Sequence, residues 1–235
     1  MHGKGGAPTK HVADLANSLK GKGYLVANIE MPWSGNRDYD VDVSHAEAEV
    51  ESALSELRNK GAKVVFVAGH SQGGVFAMYL ARHHKVDGVI AIAPGGDVGN
   101  ATFQENLGEY VAQGRQLVAE GKGDQKTGFL DYEGKKGTYA INTTPAIYLN
   151  WFDPEGAMSL KRSVSEANPN IPLLWIVAKN DYPALRRVNI PLFEKLPHNE
   201  LTKFYEANSD HLRAPSASLD EIVNWTTQVA NAAKH

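Results

Sequence analysis

The chain has 235 residues, 42% hydrophobic and 22% charged, with a formal net charge of −3 and no cysteine. That length suits one large α/β domain whose core needs no covalent staples. The lack of cysteine excludes disulfides, thiolate zinc sites, iron–sulfur clusters and a cysteine nucleophile, and the mild acidity argues against a nucleic-acid partner.

In chain order, a first helix is expected from Thr9 as N-cap, with Val12, Leu15, Ala16 and Leu19 on one face and Gly21 and Gly23 ending it. Tyr24–Ile29 reads as a short buried strand, and a loop with Pro32, Ser34 and Gly35 follows. Ser44 with Glu47 forms a capping box for a second helix carrying Ala46, Val50, Leu54 and Leu57. Val64–Ala68 is nearly all apolar, as in a parallel sheet covered on both sides. A helix through Val75, Met78, Tyr79 and Ala81 leads to the strand Val89–Ala93. This rhythm implies right-handed crossovers and a mostly parallel, doubly wound sheet with helices on both faces.

The rhythm breaks over residues 97–170. Leu107 to Val118 suggests a helix, Phe129–Ile141 a hairpin around Gly134-Lys135-Lys136-Gly137, and Ala146–Phe152 another helix. Strands Leu173–Ala178 and Leu201–Ala207 and a closing helix from Leu219 to Val229 restore it. Residues 1–235 are thus one domain, with 97–170 a lid-like insertion. No apolar run reaches the ~18 residues of a membrane span, and Met1–Gly6 lacks the apolar stretch of a signal peptide. The compartment stays open.

Gly69-His70-Ser71-Gln72-Gly73 follows directly on the strand Val64–Ala68 and opens a helix. This is G-x-S-x-G in a strand–turn–helix context, where a sharp turn lifts the serine hydroxyl over the carboxyl edge of the sheet. A serine needs a base to become nucleophilic. Of nine histidines, His211 lies on a loop directly after a late strand. His198 lies at the wrong end of that strand, His83 and His84 end a helix and read as solvated, and His235 is terminal. Asp181, just past the strand Leu173–Ala178, is the expected carboxylate partner. Asp210 and Asp153 are the weaker candidates.

An acyl-transfer site also needs oxyanion donors. The Gln72 amide is one, and the Lys4 amide in His2-Gly3-Lys4-Gly5-Gly6 is the other. The order Ser71, Asp181, His211, with an HG loop upstream, resembles the α/β-hydrolase superfamily over nearly the whole chain. The resemblance implies a serine esterase working through an acyl-enzyme, with no cofactor and no metal. In that family a central strand precedes the HG loop. Here only Met1 does, so a missing strand between Tyr24–Ile29 and Val64–Ala68 is expected, as in an N-terminally truncated hydrolase. Pairing in trans, in a homo-oligomer, is one way to supply it.

Trp33, Tyr148, Trp151 and Phe152 lie near the expected mouth. They form either an apolar pocket for acyl or aryl groups, with Trp33, Trp151 and Phe152 as its walls, or packing that holds the insertion down. Substrates are then small to medium esters, with polyesters as a further option. A thioesterase or acyltransferase on the same triad, and a non-catalytic binding protein on the same fold, are the alternatives. Ser71 argues against epoxide and haloalkane hydrolysis, which need a carboxylate nucleophile. No H-E-x-x-H or G-x-G-x-x-G is present. Lys135-Lys136 reads as a solvated hairpin tip.

Overall fold

A computed structural model describes residues 1–233, except for the side chain of Lys135; that side chain and His235, both read above, lie outside the described residues. In chain order the first elements are α1 (Ala13–Gly21), α2 (Val43–Asn59), β1 (Phe66–His70), α3 (Gln72–His83) and β2 (Gly88–Ile92). Then come α4 (Ala101–Ala119), β3 (Thr127–Glu133), β4 (Gly137–Thr143), α5 (Pro145–Phe152) and α6 (Leu160–Ser165). The chain closes with β5 (Leu173–Asn180), α7 (Pro183–Phe193), β6 (Lys203–Asp210), α8 (Ala214–Ala217) and α9 (Leu219–Ala232).

β1, β2, β5 and β6 form a parallel sheet in the order β1-β2-β5-β6. β2 and the first six residues of β5 are apolar because both faces are covered, whereas β6, at the edge of the sheet, carries Lys203, Glu206 and Asn208. On β5, Leu173, Trp175 and Val177 join a core with α2, α3 and the insertion. The alternate residues Leu174, Ile176 and Ala178 join the opposite core, with Leu15 of α1 and Ile222, Trp225 and Val229 of α9. The period of two along the strand thus separates the two layers, and the 3.6-residue stripe of each helix meets its own layer.

Three local expectations are corrected. Thr9 is not an N-cap, since α1 begins at Ala13 after a series of turns. The cap of α2 is Asp42, whose carboxylate accepts from the His45 amide at 2.9 Å, so Ser44 lies inside the first turn. Tyr24–Ile29 forms no strand. Tyr24–Asn28 lines one wall of an open groove of about 650 Å³, with Val64–Phe66 and Ala68–His70 on another, and so has no ladder partner. β1 pairs with β2 on one side. On the other side it meets Met1, whose amine donates to the Ala68 carbonyl at 2.7 Å and whose carbonyl accepts from the His70 amide at 3.0 Å.

One register shift positions the site. β5 and β6 pair Ala178 with Ala207 but Asn180 with Asp210, so one extra residue enters β6 between these points. The strand ends then deliver Asp181 and His211 side by side.

Between β2 and β5 the chain builds α4, an antiparallel β3–β4 hairpin, α5 and α6. Phe129, Tyr148 and Phe152 stack in sequence at centroid distances of 4.2 and 4.4 Å, tying hairpin to helix. His84 is not solvated: Glu51 and Glu47 of α2 hold its two ring nitrogens at 3.0 and 3.2 Å. Among the described residues no helix is long and apolar enough to cross a membrane.

Candidate active site

Ser71 sits at the junction of β1 and α3 with φ 54° and ψ −119°, a conformation that side-chain-bearing residues rarely adopt. Its backbone is held from both sides. The Ser71 amide donates to the Ile92 carbonyl at 2.9 Å, and the Ser71 carbonyl accepts from the Gly74 amide at 2.8 Å. The turn is tight enough that its glycines are obligatory. A Cβ on Gly69 would lie 1.9 Å from the Gly73 carbonyl oxygen, and one on Gly73 would lie 2.7 Å from the carbonyl oxygens of both Met1 and His2. A Cβ on Gly95 would stand 3.2 Å from Ser71 Oγ and 3.3 Å from a methyl of Leu185.

At the ends of β5 and β6, His211 Nδ1 donates to Asp181 Oδ1 at 2.8 Å, and the same oxygen accepts from the Tyr182 amide at 2.7 Å. Both residues are buried. A carboxylate on Nδ1 sets the tautomer and leaves Nε2 as the basic nitrogen. The His211 ring lies 4.8 Å from that of His70, the residue before Ser71, and 5.1 Å from that of Tyr182. His70 Nε2 donates to the His211 carbonyl at 2.8 Å. Burial, and next the neighbouring His211, push its pKa down to about 3, so His70 is a neutral strut. Asp210 turns outward to Arg213, and Asp153 pairs with Arg115 at 2.9 Å.

The loop His2–Gly6 packs against this turn: a Cβ on Gly3 would lie 3.1 Å from Ser71 Cβ. His2 anchors it. Its Nδ1 donates to the Gly3 carbonyl at 2.8 Å and its Nε2 accepts from the Met31 amide at 2.9 Å. That bonding requires a neutral ring, and burial lowers its pKa accordingly. Among the described residues no backbone carbonyl accepts from the amide of Lys4 or of Gln72. The Gln72 amide also opens α3, where partial positive charge collects.

The expectation that Trp33, Trp151 and Phe152 wall a pocket is corrected by their burial, at 2%, 1% and 3% exposure. Trp33 donates to the His2 carbonyl and Trp151 to the Val41 carbonyl, and their rings pack edge to face at 5.6 Å. They brace the insertion and the first loop on the core, where two indoles with satisfied N–H groups pack well. The apolar groups left exposed beside Asp181 and His211 are Tyr182 (38%) and Leu212 (45%). Sequence reasoning missed α7, which carries Leu185 to Gly95. Pro183 at its first turn and the spacing Leu185, Val188, Leu192 were the available signal.

No protein-family model and no curated protein matches the sequence. Solved structures do. The chain is similar to the monoacylglycerol lipase of Paleococcus ferrophilus, with 21% identity and a TM-score of 0.64 over 97% of this chain and 93% of that one. The chain has the α/β-hydrolase fold. Two other structures of this fold also match. A metagenome-derived lipolytic enzyme, of the pair LipS and LipT, is 19% identical, with a TM-score of 0.59 over 100% and 91% of the two chains. A pyrethroid hydrolase from Sphingobium faniae JZ-2 is 19% identical, with a TM-score of 0.57 over 100% and 97%. On this α/β-hydrolase scaffold, Ser71, Asp181 and His211 occupy the carboxyl edge of the parallel sheet, where ligands of open α/β sheets bind.

Proposed function

We propose that the protein is a serine carboxylester hydrolase acting on small to medium acyl or aryl esters. Ser71 Oγ attacks the ester carbonyl carbon while His211 Nε2 takes its proton. The tetrahedral oxyanion accepts from the Gln72 and Lys4 amides. His211 then protonates the departing alcohol, leaving an acyl-Ser71 ester. Water, deprotonated by the same nitrogen, attacks that ester and releases the acid. Asp181 orients His211 and stabilises the imidazolium formed at each transfer.

The observation that carries this reading is the 2.8 Å bond between His211 and Asp181, beside a serine with a positive φ. The names of the structural neighbours, a monoacylglycerol lipase and a pyrethroid hydrolase among them, support ester cleavage. Leu185, beside Ser71 across Gly95, with Tyr182 and Leu212 at the rim, supports apolar acyl or alcohol groups. The test is hydrolysis of p-nitrophenyl esters from acetate to laurate by the chain and by Ser71→Ala, with covalent labelling by a fluorophosphonate. Activity and label that both vanish in Ser71→Ala are expected. Hydrolysis that survives the substitution overturns the serine mechanism, and a folded chain without hydrolysis or label overturns the enzyme reading.

A further inference from the structure

The insertion hairpin carries a carboxylate into the core. Asp131 of β3 has 0% exposure, yet it lies on the strand face that holds Phe129. It accepts from four donors: Lys4 Nζ, Tyr39 OH at 2.8 Å, Tyr139 OH at 2.8 Å and the Tyr132 amide at 2.6 Å. Lys4 Nζ also donates to the Tyr132 carbonyl at 3.0 Å and stands 4.9 Å from the Phe103 ring centroid. An ion pair this deep is costly to desolvate and is weak evidence for stability as such, so its placement asks for another explanation.

The placement is specific. Lys4 and Gln72 carry the two amides that we assign to the oxyanion. The side chain of Lys4 is bound to Asp131 directly. The side chain of Gln72 is bound through one intermediary: its Nε2 donates to Tyr39 OH at 3.1 Å, and that hydroxyl donates to Asp131. Gln72 Oε1 is buried without a partner, so Tyr39 is the tether of this side chain. Burial, and next the Asp131 charge, hold the Tyr39 phenol well above its usual range, which keeps the proton that makes the link. Tyr39 and its neighbour Asp38 both have positive φ, at 56° and 50°, strain that a surrounding network must sustain.

We propose that Asp131 is the positioning residue of the oxyanion hole, anchoring both donor residues to the insertion hairpin. The hairpin therefore sets the geometry of catalysis. This inference rests on the serine-hydrolase reading above.

The test is steady-state hydrolysis of p-nitrophenyl butyrate, with melting midpoints, for the full chain, Ser71→Ala, Asp131→Asn, Lys4→Met, Tyr39→Phe and the double variant Lys4→Met/Asp131→Asn. Donors displaced by a fraction of an ångström cost rate rather than binding, so Asp131→Asn is expected to lose about 10- to 100-fold in kcat with KM within about twofold. The double variant removes both buried charges and is expected to recover its melting midpoint while kcat stays low. An undiminished kcat in Asp131→Asn overturns the proposal. So does a double variant whose kcat recovers together with its stability, the result a purely structural pair would give. If Asp131→Asn does not fold, the double variant and Tyr39→Phe carry the same comparison of kcat with KM. Activity indifferent to Ser71→Ala removes the underlying reading, whereas Ser71-dependent activity indifferent to Asp131 removes this inference alone.

Discussion

Gly69 and Gly73 approach so closely that a methyl group on the first would lie 1.9 Å from the carbonyl oxygen of the second. Neither backbone can yield, because one lies next to the end of β1 and the other in the first turn of α3. Gly69→Ala is therefore expected to abolish folding, read as loss of soluble protein or of a cooperative melt. Gly73→Ala meets the carbonyls of Met1 and His2 at 2.7 Å instead. It is expected to fold with the first loop displaced and to lose ester hydrolysis in the p-nitrophenyl assay.

Two neighbouring carboxylates should behave oppositely. Asp181→Ala leaves His211 Nδ1 without its acceptor and is expected to lower kcat by ~10⁴-fold, the scale for removing the carboxylate of such a triad. Asp210 forms an exposed pair with Arg213, of the kind that contributes little because solvent screens it. Asp210→Ala is thus expected to retain activity. Equal losses in the two variants count against the assignment of Asp181.

A third expectation concerns the space above Ser71. Gly95→Ala puts a methyl 3.2 Å from Ser71 Oγ and 3.3 Å from Leu185, in ground the ester carbonyl must enter. Phosphonate labelling of Ser71 is expected to slow by at least ~10-fold with little change in melting midpoint. Adding Leu185→Ala is expected to restore part of the rate. Unchanged labelling in Gly95→Ala argues that the ester approaches from another side.

Acid should weaken the fold before it reaches the carboxylates. The folded pKa of His70 is pushed down to about 3, and that of His2 is also lowered, so in the unfolded chain both take up a proton at higher pH than in the native one. The contribution of His70 is complete well above pH 6.5 and declines as pH falls toward 3, at up to ~1.4 kcal/mol per pH unit, and that of His2 declines in the same direction. Urea midpoints at pH 8, 7, 6 and 5 should be flat at first and then fall. His70→Gln, which keeps a donor for the His211 carbonyl, should flatten the decline. A stability profile level from pH 8 to 5 contradicts this account.

The buried aromatics and the exposed apolar rim make a contrasting pair. Trp151→Ala is expected to cost ~3–5 kcal/mol, since its ring packs against Trp33 and Phe76 in the core. Leu212→Ala, with its side chain half out of the protein, should leave the melting midpoint nearly unchanged and raise KM for the longer acyl chains. A Trp151→Ala variant of native stability with altered chain-length preference would reinstate the aromatic pocket.

Strands β1, β2, β5 and β6, the β3–β4 hairpin and helices α2, α4, α5 and α9 were legible because apolar runs and periodicity report burial directly. So was the arrangement of Ser71, Asp181 and His211 at strand ends, since G-x-S-x-G in its strand–turn–helix context orients the search for the rest. Tyr24–Ile29 misled because its apolar run has neither a ladder partner nor burial: it borders an open groove, with Leu25 48% exposed. The aromatic cluster left pocket wall and packing both open, because proximity to the mouth in sequence does not say which way a ring faces. Asp131 was within reach: it follows Phe129 by two residues in a strand, which puts a carboxylate on the buried face. Its partners Lys4 and Tyr39 lie about 90 to 130 residues away and have no local signature.

The extra residue in β6 has a further implication. Ala178 opposes Ala207, but by Asn180 the partner has advanced to Asp210, and only this offset brings Asp181 level with His211. The pairing of Asp181 with His211 is thus encoded in a count of residues rather than in their identities. A scan of point substitutions across Asn208 and Ser209 would pass over this, whereas one residue inserted there, with the same single bulge, would bring Asp181 opposite Asp210 instead. Alignment gaps, more than amino-acid exchanges, are where relatives of this chain would have lost or kept their chemistry.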